Sequence, residues 1–148
     1  MFVGIPVFGQ LPIQRVLTLE VAQAIAQEAM AKCHANGYRV SVSVVDHTNV
    51  LKAFLRDDGA TLATAESVRM KGNSVMNYGR PSGPPPNLPA GAPVPSPTIA
   101  GTSNAQGGVP IKVDDRIIGA VSVSGAPGGD KDAACANFAL MRVADKLR

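Results

Sequence analysis

The groups best able to hold a ligand cluster at Gly125-Ala126-Pro127-Gly128-Gly129-Asp130. Glycines admit a ligand against the main chain, and a helix starting there points free N–H groups and the positive end of its dipole outward. A carboxylate or phosphate suits such a seat. The competing assignment is a plain strand-to-helix turn in which Asp130 caps the helix and its own carboxylate takes those donors. A second glycine-rich stretch, Gly107-Gly108-Val109-Pro110, enters a strand pattern, and the two stretches together can line one cavity. Neither has the spacing of a dinucleotide fingerprint or a P-loop.

Arg69 borders the apolar stripe of a helical segment, with Ser67 and Lys71 beside it, and a guanidinium there can clamp an anion. A solvated helix face accounts for the same residues. His47 stands in the turn Asp46-His47-Thr48-Asn49, open to three roles: general base, metal ligand or turn residue. His47, Arg69 and Asp130 are thus the candidates for acid–base work beside a bound anion, and their convergence is left open. His34 falls near a helix C-terminus, where it is favourable without any function. There is no HExxH, no CxxC and no paired His at helical spacing, so no metal site is expected. Ser103 and Ser124 lack a G-x-S-x-G setting, which argues against a covalent hydrolase.

These groups must be positioned by a simple run of elements. Thr18 can cap a helix whose apolar positions Val21/Ala22, Ile25, Ala29 and Cys33 recur every three to four residues, and Asn36-Gly37 stops it. Val40, Val42 and Val44 alternate with Ser41 and Ser43, and after the Asp46–Asn49 turn Val50 to Arg56 alternates again, which predicts a hairpin. A second helix carries Leu62, Ala65, Val68/Arg69, Gly72 and Val75/Met76 and runs to about Tyr78. The stretch from Gly79 to Gly108 then holds eight of the chain's twelve prolines, a density that forbids helix and central strand alike. A second hairpin follows, with Val109, Ile111 and Val113 in one arm, Asp114-Asp115 as the turn and Ile117 to Ser124 in the other. Gly119 there suggests a close backbone approach. A last helix has Ala133, Ala136, Leu140, Val143 and Leu147 on one stripe. Two hairpins imply an antiparallel sheet flanked by helices, an α+β fold. The expected organisation is an N-terminal arm at 1–16 and one domain at 17–148, interrupted by a proline-rich loop at 79–106.

Composition narrows the classes of function. Hydrophobic residues make up 45% and charged residues 17%, which is globular and not disordered. The net charge of +3 is spread along the chain, so no nucleic-acid partner is expected. Arg142, Lys146 and Arg148 cluster where cations favour a helix end. No run reaches transmembrane length, and Met1 to Gly9 makes a poor signal peptide, so no membrane partner and a cytoplasmic location are expected. Cys33 and Cys135 have no motif spacing and sit in helical patterns, where buried free thiols are expected.

With these patterns in place, the chain resembles a known family. Gly107-Gly108-Val109-Pro110-Ile111, the run from Ile118 through Gly125-Ala-Pro-Gly-Gly-Asp130, then Asp132 and Cys135-Ala136 are similar to the GlcG/HbpS-like family, often labelled haem-degrading. Ser43-Val-Val-Asp46, Leu51-Lys-Ala-Phe54, Asp58-Gly-Ala60 and Ser67 to Lys71 fit the same family, over about residues 17 to 148. The resemblance implies a profilin-like fold, a central antiparallel sheet of two hairpins flanked by helices, and a homo-oligomer. It also implies a small anionic ligand, with haem as one cofactor. The residue chemistry above, with Arg69 favoured further by the resemblance, gives Arg69, Gly107, Gly108, Pro110, Gly125, Gly128, Gly129 and Asp130 as the expected ligand-binding positions. The proline-rich segment departs from the family, where this region is commonly partly helical, and such a reshaped rim suggests a changed substrate. Three functions therefore stand: a haem- or anion-binding protein, an enzyme doing acid–base chemistry on a small organic acid or carbonyl compound, or an accessory subunit of a metabolic enzyme.

Overall fold

The structure is a computed structural model that describes residues 9–148. The first half of the expected arm at 1–16 therefore lies outside the described residues. Residues 9–16 carry no regular structure and are exposed. Helix α1 spans Leu19–Ala35, with Thr18 Oγ1 accepting the Val21 N–H at 3.3 Å and Gly37 in the left-handed region beyond its end. Strands β1 (Ser41–Asp46) and β2 (Leu51–Arg56) form the first hairpin. Asp46 Oδ1 holds the hairpin turn by accepting the main-chain N–H groups of Thr48 and Val50 and the Thr48 hydroxyl. Helix α2 spans Leu62–Tyr78 and ends at left-handed Gly79. The proline-rich segment that follows is irregular throughout, as its proline density requires.

Strands β3 (Gly108–Val113) and β4 (Arg116–Ser124) make the second hairpin, turning through Asp114 and Asp115, both at positive φ. Consecutive positive φ values are the geometry that lets a two-residue turn follow the twist of its strands. Helix α3 spans Gly129–Arg142 and gives way to a 3₁₀ turn at Ala144–Lys146. The stripe expected to run helically to Leu147 thus breaks at Val143, although Val143 is buried and Leu147 packs against the same core.

The four strands are antiparallel in the order β2-β1-β4-β3. Period-2 alternation divides their side chains between two unlike faces. Val42, Val44, Val121 and Val123 join Ile25, Ala29 and Ala139 in the large core under α1 and α3. Ser41, Ser43, Ala120 and Ser122 turn the other way, toward α2. Small residues let α2 come close: a methyl group at Gly72 would lie 3.4 Å from Ser122 Oγ. Gly119 also answers its expectation, since a Cβ there would collide with the Val45 carbonyl oxygen.

The cysteines correct the sequence reading. Both are buried, as expected, but they are bonded to each other and not free. Each lies on the core stripe of its own helix, and the packing of α1 against α3 brings their Cα atoms to 5.6 Å across 102 residues of chain. Helical spacing shows each stripe and says nothing of which stripes meet. The closed loop is long, so the bond constrains the unfolded chain strongly.

Two measurements check this part of the structure. Replacing Cys33 and Cys135 by Ser together lowers the unfolding free energy by about 2–5 kcal/mol, read from urea denaturation. An unchanged midpoint would show that the bond contributes nothing. The second concerns acid. The Thr48 hydroxyl holds the Asp46 carboxyl below its ordinary value, and the His34 ring nitrogen, 2.8 Å away, does the same for Asp57, with Arg39 helping. A carboxyl lowered by folding adds stability above the ordinary value of 3.8, and this is lost as pH falls through the lower folded value. The melting temperature should therefore drop as pH is lowered beneath about 3.8, and less steeply in Asp57→Asn.

Candidate functional site

The two glycine-rich stretches do meet, but they close around protein atoms. At Gly107, held at φ 127°, a Cβ would lie 2.7 Å from Lys71 Nζ and 2.9 Å from Asp132 Cβ. At Gly129 it would lie 2.9 Å from Gln106 Cβ. Lys71 Nζ, reaching from α2, donates to Asp132 Oδ2 at 2.9 Å and to the Val123 carbonyl at 2.8 Å. Asp132 Oδ1 in turn accepts the Ala126 N–H at 2.9 Å. The two side chains are only 3% and 5% exposed, so this is an ion pair inside the protein. Burial pushes the Lys71 ammonium down and the Asp132 carboxyl up from their ordinary values, with the attraction between them opposing both shifts. Ser82 completes the seam: its hydroxyl accepts the Gly108 N–H at 2.7 Å.

Asp130 does not cap α3. Gly128 occupies the cap position, and Asp130 is exposed on the first turn. The carboxylate that ties this turn together is Asp132, two residues further on. A sequence signal for it existed. Lys71 falls between Val68 and Gly72/Val75 on the buried stripe of α2, and Asp132 falls three and four residues before Cys135 and Ala136 on that of α3. Opposite charges on two core stripes point to a buried pair.

Arg69 sits elsewhere. Helix α2 packs on β1, β4 and β3, which leaves β2 beyond its edge. Phe54 stands opposite Ser43 in the hairpin register and Leu51 opposite Val45, so both project to the α2 side without being covered; they are 42% and 57% exposed. The result is a groove of about 390 Å³ with an apolar floor of Val45, Leu51, Phe54 and Val68. Arg69, Asn49 and Asn73 supply its polar wall. The Asn49 amide donates to Asn73 Oδ1 at 2.9 Å, and the Asn73 amide donates to the Gly101 carbonyl at 3.0 Å. The proline-rich segment thus touches the groove's polar wall through Asn73 without lining the groove itself. The Asn49 amide oxygen is enclosed without a hydrogen-bond partner. Among the described residues Arg69 pairs only with Glu66 at 3.3 Å, on an exposed surface where such a pair is weak and easily exchanged.

The remaining candidates are separate from this groove. His47 lies in the adjacent turn with its Nδ1 enclosed and unpartnered, and it does not line the groove. Pro110 is buried in edge strand β3 opposite Ala120, and Gly125 packs against the Arg39 carbonyl. His34 is engaged by Asp57. Among the described residues no three His, Cys, Asp or Glu side chains gather into a metal-binding cluster, and no helix is long and apolar enough to cross a membrane.

Comparison with known proteins places this fold. The model of the family described as haem degrading protein HbpS-like matches residues 17–141. The chain belongs to the HbpS-like family. A crystal structure of HbpS is 30% identical, with a TM-score of 0.78, over 94% of this chain and 99% of that one. A double mutant of HbpS from Streptomyces reticuli is 27% identical, with a TM-score of 0.75, covering 95% and 98%. A PduOC:heme complex shares the fold at 19% identity and a TM-score of 0.73, covering 86% and 94%. No curated protein matches the chain at a significant level. The α+β architecture of three helices on a four-stranded antiparallel sheet is therefore the HbpS fold, as the sequence led one to expect.

The ion pair gives a direct test of this part of the HbpS-like fold. Lys71→Met or Asp132→Leu alone leaves one charge buried without its partner and destabilises by about 3–5 kcal/mol. The double replacement costs much less than the sum, because it removes both charges together. Additive losses in urea denaturation would show that the two side chains do not act as a pair.

Proposed function

We propose that this protein binds a small organic anion with a flat apolar body, seated in the groove beside β2 with its carboxylate on Arg69. The observation that carries the reading is the groove itself: an uncovered apolar floor beside a guanidinium. Its volume of about 390 Å³ falls in the usual range for small-molecule sites. Membership of a family described as haem degrading, and the haem complex of PduOC, favour a porphyrin as the ligand class.

The groove fits one part of haem and not another. Phe54, Leu51 and Val68 suit the macrocycle, and Arg69 suits a propionate. The lining residues include no His, Cys, Met or Tyr to ligate the iron. Acid–base chemistry has less support, since neither His47 nor Asp130 lines the groove that Arg69 borders. A homo-oligomer is part of the proposal: Leu11 and Ile13 are 93% and 91% exposed, and association with further copies would cover them. The Cys33–Cys135 bond favours an oxidising compartment over the cytoplasm.

Titration of the purified protein with haemin, followed by visible absorption, tests the reading. The expected result is a saturable, stoichiometric change that Arg69→Ala weakens by about tenfold, the value of one charge-assisted contact. Binding unaffected by Arg69→Ala would move the ligand out of this groove, and no saturable binding would end the haem reading.

A further inference from the structure

We infer that the groove recognises its ligand by ring and carboxylate alone, so that a metal-free porphyrin dicarboxylate is held as tightly as its iron form. The inference rests on the groove being the binding site. It follows from what becomes of the described side chains able to ligate haem iron. His47, in the turn beside the groove, has its Nδ1 enclosed and is not among the groove's lining residues, and Met70 on α2 is also outside that lining. Cys33 and Cys135 are bonded to each other within the core on the opposite face of the sheet. His34 is committed to Asp57 at the end of α1, also on that opposite side. Tyr78 is engaged through its hydroxyl by Thr98, Thr102 and the Ile99 N–H, beneath the proline-rich segment. Tyr38 and Met30 pack against the α1–α3 core, Met76 packs against the small core under α2, and Met141 is exposed on α3.

What the groove does offer is complementary to an organic anion. Phe54 and Leu51 present flat apolar surface at a strand edge, where a ring can lie against them. Arg69 supplies the charge, and its weak pairing with Glu66 leaves it free to take a carboxylate. Asn49 and Asn73 bring only amide groups to the groove, and a neutral amide oxygen is a poor match for haem iron beside imidazole or thiolate. Ring burial and charge pairing are the same for a porphyrin with or without iron.

The test compares haemin with protoporphyrin IX on the intact protein, by absorption for the first and by fluorescence for the second, each with wild type and Arg69→Ala. The expected result is dissociation constants within about threefold of each other, equally weakened by Arg69→Ala. The haemin complex should show no spectrum of nitrogen- or sulfur-ligated low-spin iron. Haemin binding more than about tenfold tighter than protoporphyrin, with such a spectrum, would overturn this inference while leaving the binding reading intact. Saturable binding of neither compound would overturn both.

Discussion

Lys71 and Asp132 join the two layers of this protein from opposite sides of its sheet. Lys71 comes from α2 on one face and Asp132 from α3 on the other, and they meet at the end of β4 where β3 begins. Two buried charges are costly to remove from water, and their attraction offsets that cost only when the geometry is good and the remaining polar atoms are satisfied. Here the second carboxylate oxygen takes the Ala126 N–H, and the ammonium takes the Val123 carbonyl. Gly107, at the start of the stretch expected to seat a ligand, lies directly against this pair. A side chain at Gly107 would strike the Lys71 ammonium, so the close fit of main chain around the pair requires its absence.

The same layering creates the groove. The face under α1 and α3 is large and valine-rich, and the disulfide fastens its two helices together. The face under α2 is built mainly from small residues, Ser41, Ser43, Ala120 and Ser122, with Val45 beside them, and these draw the helix close but give it no breadth. One helix cannot cover four strands, and β2 is the strand left out. Because Phe54 and Leu51 alternate onto that uncovered side, an apolar floor is exposed beside the helix that carries Arg69. A cation held over exposed apolar surface is what a carboxylate-bearing aromatic ligand needs, and it arises here from sheet order and strand register together.

Membership of the HbpS-like family fixes the fold and leaves the chemistry to the particular side chains. In this chain those side chains gather at the groove as one guanidinium, two amides and an apolar floor. The proline-rich segment is pinned beside it through Gly101 on Asn73, while Tyr78 and Ser74 bind the neighbouring threonines and Ser103. A segment without regular structure is thus held in place by side chains of α2, which supply the hydrogen bonds its own prolines cannot make.

Much of this was legible in the residues alone. Apolar spacing marked α1, α2 and both hairpins nearly to their ends, because helix and strand periods are local properties of the chain. Thr18, Gly37 and the Asp114-Asp115 turn announced their roles through local geometry. Arg69 was visible as a cation beside an apolar stripe, and it does border a groove. What the sequence did not disclose were the meetings between elements. Cys33 and Cys135 were each seen to be buried, but their bond required α1 to pack on α3. Lys71 and Asp132 each lay on a core stripe, but their pairing required two helices on opposite faces to reach one sheet end. Asp130, His47 and Arg69 remained separate because no local pattern says which strand a helix will leave uncovered. Periodicity along the chain is set by neighbours in sequence, whereas these sites are set by sheet order, which only the folded chain decides.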